Sequence, residues 1–434
     1  MSLRPLPSRA ARGLGGALLV LACLTVVVGP PLAVFLPHAS LPLSDAGWRA
    51  LGRAIGLGAA LWLAVQFVVA ARLRLLDRVF GLDRLFLAHR AIGLKAVSLA
   101  LLHPFVLFWP ETRNLAEPVL AQWPLLVGAA ELTSLWGLAG VARFRALAGL
   151  PYQRWLPLHR LGALGLAGLV ALHASFVTDR VHPAALAPLA AAVFFLLVRR
   201  LARPLACTVT AVSPVGTDAR EITLTPDPGK AFAFAPGQFA LVTFLSPALP
   251  REEHPFTIAS APHEERLRFT IRCCGDFTAR IGALSPGDRA LVHGPYGRFS
   301  FLSANARPGE PLLLLAAGVG ITPMLSMLRH LAATEAGGPR RVVLVWSNRE
   351  AADAPHLAEI EGFSSVLPGF SLGLHFSRGP TGARLDEAAL ASLLADAPPQ
   401  AQAFVCGPAG FMALARRVLR DRGTTRVTCE EFAL

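Results

Sequence analysis

The sequence predicts a bundle of six membrane-spanning helices, followed by an antiparallel β-barrel and an α/β unit of the Rossmann type. The chain has 434 residues and a hydrophobic fraction of 53%, which is more than soluble proteins usually carry. Its long Ala, Leu and Val runs lie in the first 200 residues, whereas the remainder alternates short apolar stretches with Gly and Pro turns. We therefore expect three domains, at residues 1–203, 204–306 and 307–434.

Six apolar runs are long enough to cross a hydrocarbon core of about 30 Å. The first follows several arginines, as a signal peptide would, but it is long and no small-x-small cleavage site is evident, so we expect it to remain as an anchor. The six runs are Gly13–Leu36, Gly47–Ala71, Leu85–Phe108, Leu120–Ala142, Trp155–Val177 and Pro183–Val198.

Arginines concentrate at the N-terminus and at alternate connections between the predicted spans. Such ends face the cytoplasm, and the other connections, which hold Arg113 and Arg180 beside several acidic residues, should face outward. The pattern predicts a multi-pass protein of the cell (inner) membrane, surrounded by lipid, with both termini in the cytoplasm. The inner arginines are Arg4, Arg9, Arg12, Arg72, Arg74, Arg78, Arg84, Arg143, Arg145, Arg154, Arg199, Arg200 and Arg203.

Charge and cysteine usage exclude several other classes of protein. The net charge of +13 comes largely from arginines that flank apolar runs and do not cluster on one polar helix, so we predict no nucleic-acid partner. The six cysteines form no C-x-x-C pair and no iron–sulfur spacing, which argues against zinc and ferredoxin modules and favours reduced thiols.

Two of the predicted spans each carry two histidines fourteen residues apart: His89 and His103 on the third, His159 and His173 on the fifth. Fourteen residues make just under four helical turns, so the two side chains share one face about 21 Å apart. If these spans lie side by side, His89 meets His159 near the cytoplasm and His103 meets His173 near the outside. The arrangement predicts two bis-histidine haem sites, although any one intramembrane histidine could be a satisfied core residue. The haems should be of b type, because no C-x-x-C-H attachment sequence is present.

Other polar residues in the spans have two interpretations each. Arg90 and Arg160 could neutralise propionates of the inner haem, and Arg53 could do so for the outer haem or steer an anionic product; positive-inside placement alone explains the first two. Lys95 and Glu131 fall at similar depth, so we predict that they pair, with a proton path as the alternative. Four glycines could admit a flat macrocycle or simply let helices pack: Gly93, Gly162, Gly165 and Gly168.

Beyond Pro204, short β-like runs broken by Gly and Pro predict a small barrel. The runs are Cys207–Val212, Glu221–Thr225, Phe239–Phe244 and Leu267–Cys273. Four sequence blocks stand among them: Pro236-Gly237-Gln238-Phe239, His254-Pro255-Phe256-Thr257-Ile258-Ala259-Ser260, Arg272-Cys273-Cys274-Gly275-Asp276-Phe277-Thr278 and Gly294-Pro295-Tyr296-Gly297.

These four blocks, in this order, resemble the flavin-binding domain of the ferredoxin-NADP reductase superfamily. With the histidine-bearing spans ahead of them, the chain resembles the NADPH oxidase and ferric reductase family nearly end to end. The resemblance implies that the isoalloxazine and ribityl chain of FAD are lined by His254, Pro255, Phe256 and Thr257. It also implies that the FAD pyrophosphate is reached by Arg272, Gly275 and Thr278, a guanidinium and a helix start that suit an anion.

From Pro311 the chain predicts an α/β unit: the strand Leu312–Ala316, a glycine-rich turn and a helix through Leu331. Backbone donors and the helix dipole at such a turn suit a dinucleotide pyrophosphate, although a purely structural turn is the alternative. In the resembled family, as here, a proline replaces the third glycine of the common Rossmann fingerprint. The candidate nucleotide-binding residues of this turn are Gly318, Gly320, Thr322 and Pro323.

Two later strands, Val342–Trp346 and Leu372–Phe376, end where the resembled family selects NADPH over NADH. Arginines there could bind a 2′-phosphate bidentately, which favours NADPH over the alternative of two solvated loop residues. The candidate residues are Ser347, Arg349, Ser377 and Arg378.

The last candidate residues concern hydride transfer. The turn Cys406-Gly407-Pro408 resembles the family's nicotinamide-contacting turn, with Cys406 near the hydride path. Phe432 resembles the terminal aromatic that stacks on the flavin, but here Ala433 and Leu434 follow it, which departs from the oxidases. Cys406, Phe432 and Thr257 are thus the candidate catalytic residues.

We therefore predict an NAD(P)H-dependent flavohaem enzyme that passes electrons from NADPH through FAD and two b-type haems to a small acceptor outside the cell. Short outer connections and Arg53 favour oxygen, giving superoxide, while reduction of ferric iron is the alternative. A haem sensor or electron-transfer subunit serving a protein partner is the reading from another class, and a complete nicotinamide site argues against it. A transporter is disfavoured, because the intramembrane polar residues are chiefly histidines.

Overall fold

The computed structural model describes residues 9–39, 44–109, 123–145, 147–177, 182–302, 309–378 and 382–430. Its backbone contacts divide the chain into two compact units. One consists of Ala10–Ala202, and the other contains Arg203–Leu434. Each is described by itself below.

The first unit is helical, and each predicted span corresponds to one long helix. A short additional helix, α3, occupies a stretch where only an arginine-rich connection was expected. The helices are α1 (Arg9–Phe35), α2 (Asp45–Ala70), α3 (Arg74–Phe80), α4 (Leu82–Leu107), α5 (Trp123–Phe144), α6 (Tyr152–Val177) and α7 (Ala187–Leu201).

Five segments of this unit are long and apolar enough to cross a membrane, judged by length and composition. They are Gly13–His38, Asp45–Ala70, Leu82–Leu107, Tyr152–Phe176 and Pro183–Leu201. Large apolar side chains cover their outer surfaces, as in Leu21, Phe105 and Leu161, which are 61%, 73% and 66% exposed. Lipid is the solvent that suits such a surface. The sixth span, in α5, stays a prediction.

Close helix packing in this unit joins α2 to α4, and α6 to α5 and α7. Gly52 of α2 lies so near α4 that a Cβ there would be 2.6 Å from the Cα of Leu107, which is the close backbone approach that small residues permit between helices in lipid. Within the described residues, α4 and α6 are not a closely packed pair. These two helices carry the four histidines.

The second unit begins with a six-stranded antiparallel sheet in the order β4-β3-β6-β1-β2-β5. Its two edges approach each other through a hydrogen bond from Ala259 N to Arg268 O of 2.7 Å, which curves the sheet into a barrel around Phe244, Ile258 and Phe269. The strands are β1 (Leu205–Val215), β2 (Ala219–Pro226), β3 (Phe239–Leu245), β4 (Glu253–Thr257), β5 (Leu267–Arg272) and β6 (Arg289–Tyr296). The predicted barrel is thus present; β4 overlaps the block that begins at His254, and β6 ends in the block that begins at Gly294.

A five-stranded parallel sheet follows, in the order β11-β10-β7-β8-β9. Its central strand is buried on both faces, which explains the unbroken apolar run Leu312–Ala316. The predicted α/β unit is confirmed. Its elements are β7 (Leu312–Ala317), α8 (Thr322–Thr334), β8 (Val342–Asn348), α9 (Leu357–Val366), β9 (Phe370–Phe376), α10 (Glu387–Leu393), β10 (Gln402–Cys406), α11 (Ala409–Asp421) and β11 (Val427–Glu430).

A buried ionic network joins the barrel to the α/β domain. Arg329 of α8, whose side chain is 5% exposed, donates two hydrogen bonds of 2.6 and 2.7 Å to Glu359 of α9. It also donates to the Ala259 carbonyl at 2.8 Å and lies 3.6 Å from Glu221 of β2. A buried guanidinium is tolerated only when its charge and donors are satisfied, so both domains contribute to holding it.

His356 extends this network to β5. Its Nε2 lies 2.9 Å from the hydroxyl of Thr270, and its Nδ1 lies 3.5 Å from Glu359. Burial alone would raise the pKa of Glu359, but hydrogen bonds with His356 and Arg329 outweigh it and lower that pKa from 4.5 to about 2. Glu359 is therefore ionised throughout the neutral range, and its charge stabilises the folded state.

We expect Glu359→Gln to lower the free energy of unfolding by about 1–2 kcal/mol at neutral pH, after allowance for solvent screening at its exposed edge. Because the folded-state pKa is depressed, this stabilisation is complete above the unfolded value near 4.5 and is lost as pH falls towards about 2. Thermal melting of the two proteins should therefore differ at neutral pH and converge in acid. A difference that stays constant down to the acid limit would contradict the assignment.

Candidate functional site

The four histidines form two facing pairs in the helical unit. The ring centroids of His89 and His159 are 6.4 Å apart with their planes at 77°. Those of His103 and His173 are also 6.4 Å apart, at 87°. The structure thus brings together the two pairs that the fourteen-residue spacing predicts, at two depths on α4 and α6.

The separation within each pair fits a metal ion between the rings. An imidazole nitrogen lies about 2 Å from a bound transition metal, so two rings on opposite sides of one ion have centres roughly 6 Å apart. In the described residues no group of three or more potential metal-binding side chains occurs, so the remaining ligands would have to come from the bound group itself. Four porphyrin nitrogens would meet this need, and the few contacts between α4 and α6 are compatible with a flat macrocycle between these helices.

Neighbouring helices support the pair formed by His103 and His173. His103 Nδ1 lies 2.8 Å from the carbonyl oxygen of Gly52 on α2; a proton donated there leaves Nε2 to bind a metal. Glycines sit directly against both rings, since a Cβ on Gly56 would be 2.7 Å from His103 and one on Gly128 would be 2.9 Å from His173. Sequence reasoning missed Gly56 and Gly128, because the requirement comes from helices α2 and α5.

The pair formed by His89 and His159 has different neighbours. Trp155 stacks on His159 with centroids 4.9 Å apart, and Gln66 of α2 donates to the His89 carbonyl at 2.9 Å. The Nδ1 atoms of His89 and His159 are buried without a hydrogen-bond partner within the described part of the chain. Buried polar atoms of this kind mark a site where a ligand or water completes the bonding.

Sequence reasoning left two possible roles for four glycines, helix packing or contact with a macrocycle, and the structure divides the four into two groups. A Cβ on Gly93 would meet Gln66 at 2.6 Å, and one on Gly162 would meet Leu138 at 2.6 Å, so these two serve helix packing. A Cβ on Gly165 or Gly168 would meet nothing within 4 Å, which agrees with a surface left open for a ligand or lipid.

The predicted pairing of Lys95 with Glu131 is wrong. The ammonium of Lys95 lies 5.2 Å from the ring centroid of Trp62 on an exposed face of α4. Glu131 instead points into a small cavity between helices. Similar depth did not bring the two charges together, because the helices turn them in different directions. Arg53 and Arg90 are both exposed, and the structure places Arg53 next to Gly52, the residue that holds His103.

In the barrel, the four candidate flavin-binding residues follow one another on β4, the edge strand. His254 stacks on Phe277 with centroids 3.9 Å apart, and its Nε2 lies 3.0 Å from Glu252. Thr257 is 5% exposed, and its hydroxyl is buried with no hydrogen-bond partner in the described residues. An unsatisfied hydroxyl at the end of an edge strand fits a missing polar ligand such as FAD.

The candidate pyrophosphate residues lie at and just after the end of β5. Arg272 pairs with Asp218 at 2.6 Å. Gly275 adopts a left-handed backbone (φ 93°) in open space, where a side chain would be strained. The Thr278 hydroxyl accepts a hydrogen bond of 2.9 Å from Cys274 N and also contacts the Cys274 carbonyl, so it shapes the turn; its contact with a pyrophosphate stays a prediction.

The glycine-rich turn of the α/β domain lies against the end of β10. A Cβ on Gly320 would be 2.4 Å from the Cys406 carbonyl oxygen, so only glycine fits there. The Trp346 indole donates to the Gly318 carbonyl at 3.0 Å, and the Thr322 hydroxyl donates to Val319 O at 3.1 Å. Pro323 then occupies the first turn of α8, where its missing N–H costs nothing.

The loops after β8 and β9 run side by side. Backbone hydrogen bonds join Ser377 N to Asn348 O at 3.0 Å and Arg378 N to Arg349 O at 2.8 Å, so the four candidate 2′-phosphate residues gather at one edge. There the Ser347 hydroxyl lies 3.1 Å from His375.

Sequence reasoning missed a carboxylate at this edge. An oxygen of Glu350 lies 3.9 Å from the Arg378 guanidinium, with both side chains more than half exposed. The sequence did offer a signal, because Glu350 directly follows Arg349. A carboxylate at that position would repel a 2′-phosphate.

Cys406 is fully buried at the end of β10. Burial raises its pKa well above the ordinary thiol value, and the nearby Glu430 and Cys429 add to that rise, so the thiol stays protonated. The β10–β11 register places Cys406 beside Glu430, whose carboxylate reaches within 3.3 Å of where a Cβ on Gly297 would lie. Sequence reasoning missed Glu430, which precedes the candidate aromatic Phe432 by two residues; Phe432 itself lies outside the described residues.

The turn after Cys406 is tightly built. A Cβ on Gly407 would be 3.0 Å from the Cβ of Ala317, and Pro408 precedes α11 as its N-cap. Gly407 therefore allows β10 and β7 to end close together, at the carboxyl edge where parallel sheets bind their ligands.

Three family models match the chain in succession. The ferric reductase-like transmembrane component matches residues 55–170, the FAD-binding domain residues 205–300, and the oxidoreductase NAD-binding domain residues 314–417. The chain is thus a flavoprotein oxidoreductase with an NAD-binding domain and a ferric reductase-type membrane domain. This is the architecture of the NADPH oxidase and ferric reductase family, which confirms the resemblance read from the sequence.

Similar proteins are known for the second unit. A flavohemoprotein of Deinococcus radiodurans is 27% identical over 244 residues, which are 52% of this chain and 55% of that protein. The reductase component of propane 2-monooxygenase from Mycolicibacterium goodii is 30% identical over 46% of this chain and 59% of its own length. The chain therefore spans a little over half the length of these relatives. The FAD/NAD-binding domain of a nitric oxide dioxygenase from Vibrio cholerae O1 biovar El Tor aligns with a TM-score of 0.46 at 20% identity, over 53% of this chain and 99% of that one.

We expect Gly320→Ala to weaken NAD(P)H binding by at least about tenfold, because its Cβ would force the glycine-rich turn away from Cys406. FAD content should be unchanged. Gly362→Ala is the matched control, since a Cβ there meets nothing within 4 Å. The affinity is measured by titrating the purified protein with NADPH, and equal affinities for the two variants would contradict the close-approach argument.

Proposed function

We propose that the chain carries electrons from cytoplasmic NADPH through FAD and two b-type haems to a small acceptor on the other side of the membrane. The observation that carries this proposal is the pair of 6.4 Å histidine contacts, at two depths of one helical unit. The family architecture adds an NAD-binding and an FAD-binding domain to the same chain. When bound, the flavin supplies the change from two-electron to one-electron chemistry, and the haems supply one-electron steps through lipid.

The residues of the second unit would bind and align the two nucleotides. Thr257 offers an unsatisfied buried hydroxyl to the flavin edge. Cys406 presents a neutral, protonated thiol, which can pack against nicotinamide without attacking it. Glu430 lies beside Cys406 in the parallel sheet, so its carboxylate would lie near the nicotinamide. We propose NADPH as the donor because Arg349 and Arg378 gather at the edge that would bind a 2′-phosphate.

The residues of the helical unit would hold two metal centres and tune them. His103, fixed by the Gly52 carbonyl, and His173 would bind the outer haem, and His89 and His159 the inner one. The rise of a helix puts the two sites about 21 Å apart between ligands on the same helix. Arg90 and Arg53 are exposed near the inner and outer pairs, where they could balance propionates.

Oxygen is the acceptor we propose, with superoxide as product. The exposed guanidinium of Arg53, next to the residue that holds His103, would favour release of a small anion at this site. A ferric complex is the alternative, supported by the ferric reductase-like match. Dismutase-sensitive reduction of cytochrome c by the purified protein would support oxygen, and ferric chelate reduction without it would reject it.

A function of another class is service to a protein partner. Two relatives are named as parts of larger systems: the propane 2-monooxygenase reductase component and the glycine betaine monooxygenase reductase subunit of Chromohalobacter salexigens. Turnover of the isolated protein with a soluble acceptor would count against an obligatory partner.

We expect His103→Ala and His173→Ala each to remove one haem of two and to stop reduction of external acceptors, while NADPH still reduces FAD. The reason is that each variant breaks only the outer pair. Haem content and flavin reduction are followed by absorption spectroscopy. His182→Ala is the matched control, because that histidine lies outside both pairs and contacts Ala184 N. Loss of both haems from a normally folded variant would contradict the assignment of depth.

A further inference from the structure

Glu131 is a carboxyl group buried inside the helical unit, with no hydrogen-bond partner for Oε2 among the described residues. It points into a small cavity whose other eight lining side chains, from α2, α4, α5 and α6, are all Ala, Leu or Val. Burial of a charged carboxylate among such groups is expensive unless a positive charge lies within range.

The position of this cavity is specific with respect to the histidines. Ala96 of α4, which lines it, is seven residues from both His89 and His103, and Leu166 of α6 is seven residues from both His159 and His173. Seven residues span about 10 Å along a helix. Ala100 and Val170 also line it, each three residues from His103 or His173. Glu131 therefore lies between the two histidine pairs, nearer to His103 and His173, and none of the four histidines is among the lining residues.

Few other charges face this cavity. No other lining residue from any of the four helices can titrate. Lys95, adjacent to Ala96 in sequence, lies over Trp62 on an exposed face. The titratable groups on the same faces of α4 and α6 are the histidines themselves, above and below. The charge state of Glu131 is therefore governed by whatever charge resides at the two histidine pairs.

We propose that Glu131 is a proton acceptor coupled to electron passage between the two sites, which makes electron transfer through this membrane unit proton-linked. The proposal rests on the function proposed above, because it needs iron at the histidine pairs. Ferric iron held by the two histidine pairs would supply positive charge that stabilises the Glu131 carboxylate. On reduction of that iron the stabilisation would fall, and the carboxylate in its apolar cavity would take up a proton.

The step balances in charge and atoms. For each electron that iron held at either pair would accept from reduced flavin, the Glu131 carboxylate would gain one proton from water and become a neutral carboxylic acid, so the net charge of the unit would be unchanged. When that electron leaves for the external acceptor, Glu131 would return its proton to water. Proton uptake by Glu131 would thus compensate the negative charge of each electron, so that the region around the apolar cavity keeps the same net charge during turnover.

The test is a redox titration of the purified holoprotein, followed through the haem absorption across a range of pH. We expect the midpoint potential of the wild-type haems to fall as pH rises, by up to about 59 mV for each tenfold change in proton activity. Glu131→Gln should abolish most of this slope, whereas Glu131→Asp should retain it. Thr133→Val is the control on the same helix, since that exposed hydroxyl bonds only the Ala129 carbonyl among the described contacts, and it should keep the wild-type slope.

Infrared difference spectra of the wild type give a second readout that needs no variant. Reduction should produce the carbonyl band of a protonated carboxylic acid, and Glu131→Gln should lack that band. A wild-type potential independent of pH, or a slope unchanged in Glu131→Gln, would overturn the proposal while leaving the haem assignment intact. Absence of any haem absorption would overturn the proposed function, and this inference with it.

Discussion

Two pairs of imidazole rings face each other across the space between α4 and α6. This arrangement determines how the other helices of the unit must pack. Rings 6.4 Å apart in both pairs need two helices that share direction and register but do not pack closely. Support must then come from elsewhere, and α2 supplies it to α4 through Gly52 and Gly56. On the other side, α5 packs against α6, and its Gly128 lies against His173.

The second unit meets a similar requirement by different means. There, the nucleotides would have to be held at fixed positions, and close contacts between backbone segments make those positions precise. Gly320 lies against the Cys406 carbonyl, and Glu430 follows in register beside it. The Arg329 network then links barrel to α/β domain with charges that are costly to separate. Gly320, Cys406 and Glu430 come from three segments of the chain and lie together at the place proposed for hydride transfer.

Local periodicity was enough to predict the histidine pairs, the barrel and the α/β unit. Spacing of fourteen residues fixes both face and depth on a helix, so His89 and His103 needed no tertiary information. Similar depth was not enough to predict an ion pair between Lys95 and Glu131, because the two side chains point in different directions from their helices. Glu430 and Glu350 were missed for another reason: the role of each depends on a strand pairing or a neighbouring loop that the sequence does not display. Strand β4 was not predicted as a strand because its residues were assigned to a flavin-binding motif, and β6 was missed although it ends in another such motif.

The central claim is that two irons sit one above the other between α4 and α6. The most direct measurement is a reduced-minus-oxidised absorption spectrum of the purified chain together with haem quantification. The account predicts two b-type haems per chain, reduced by NADPH only when FAD is present. A protein that shows no Soret absorption after expression with ample haem supply would contradict it.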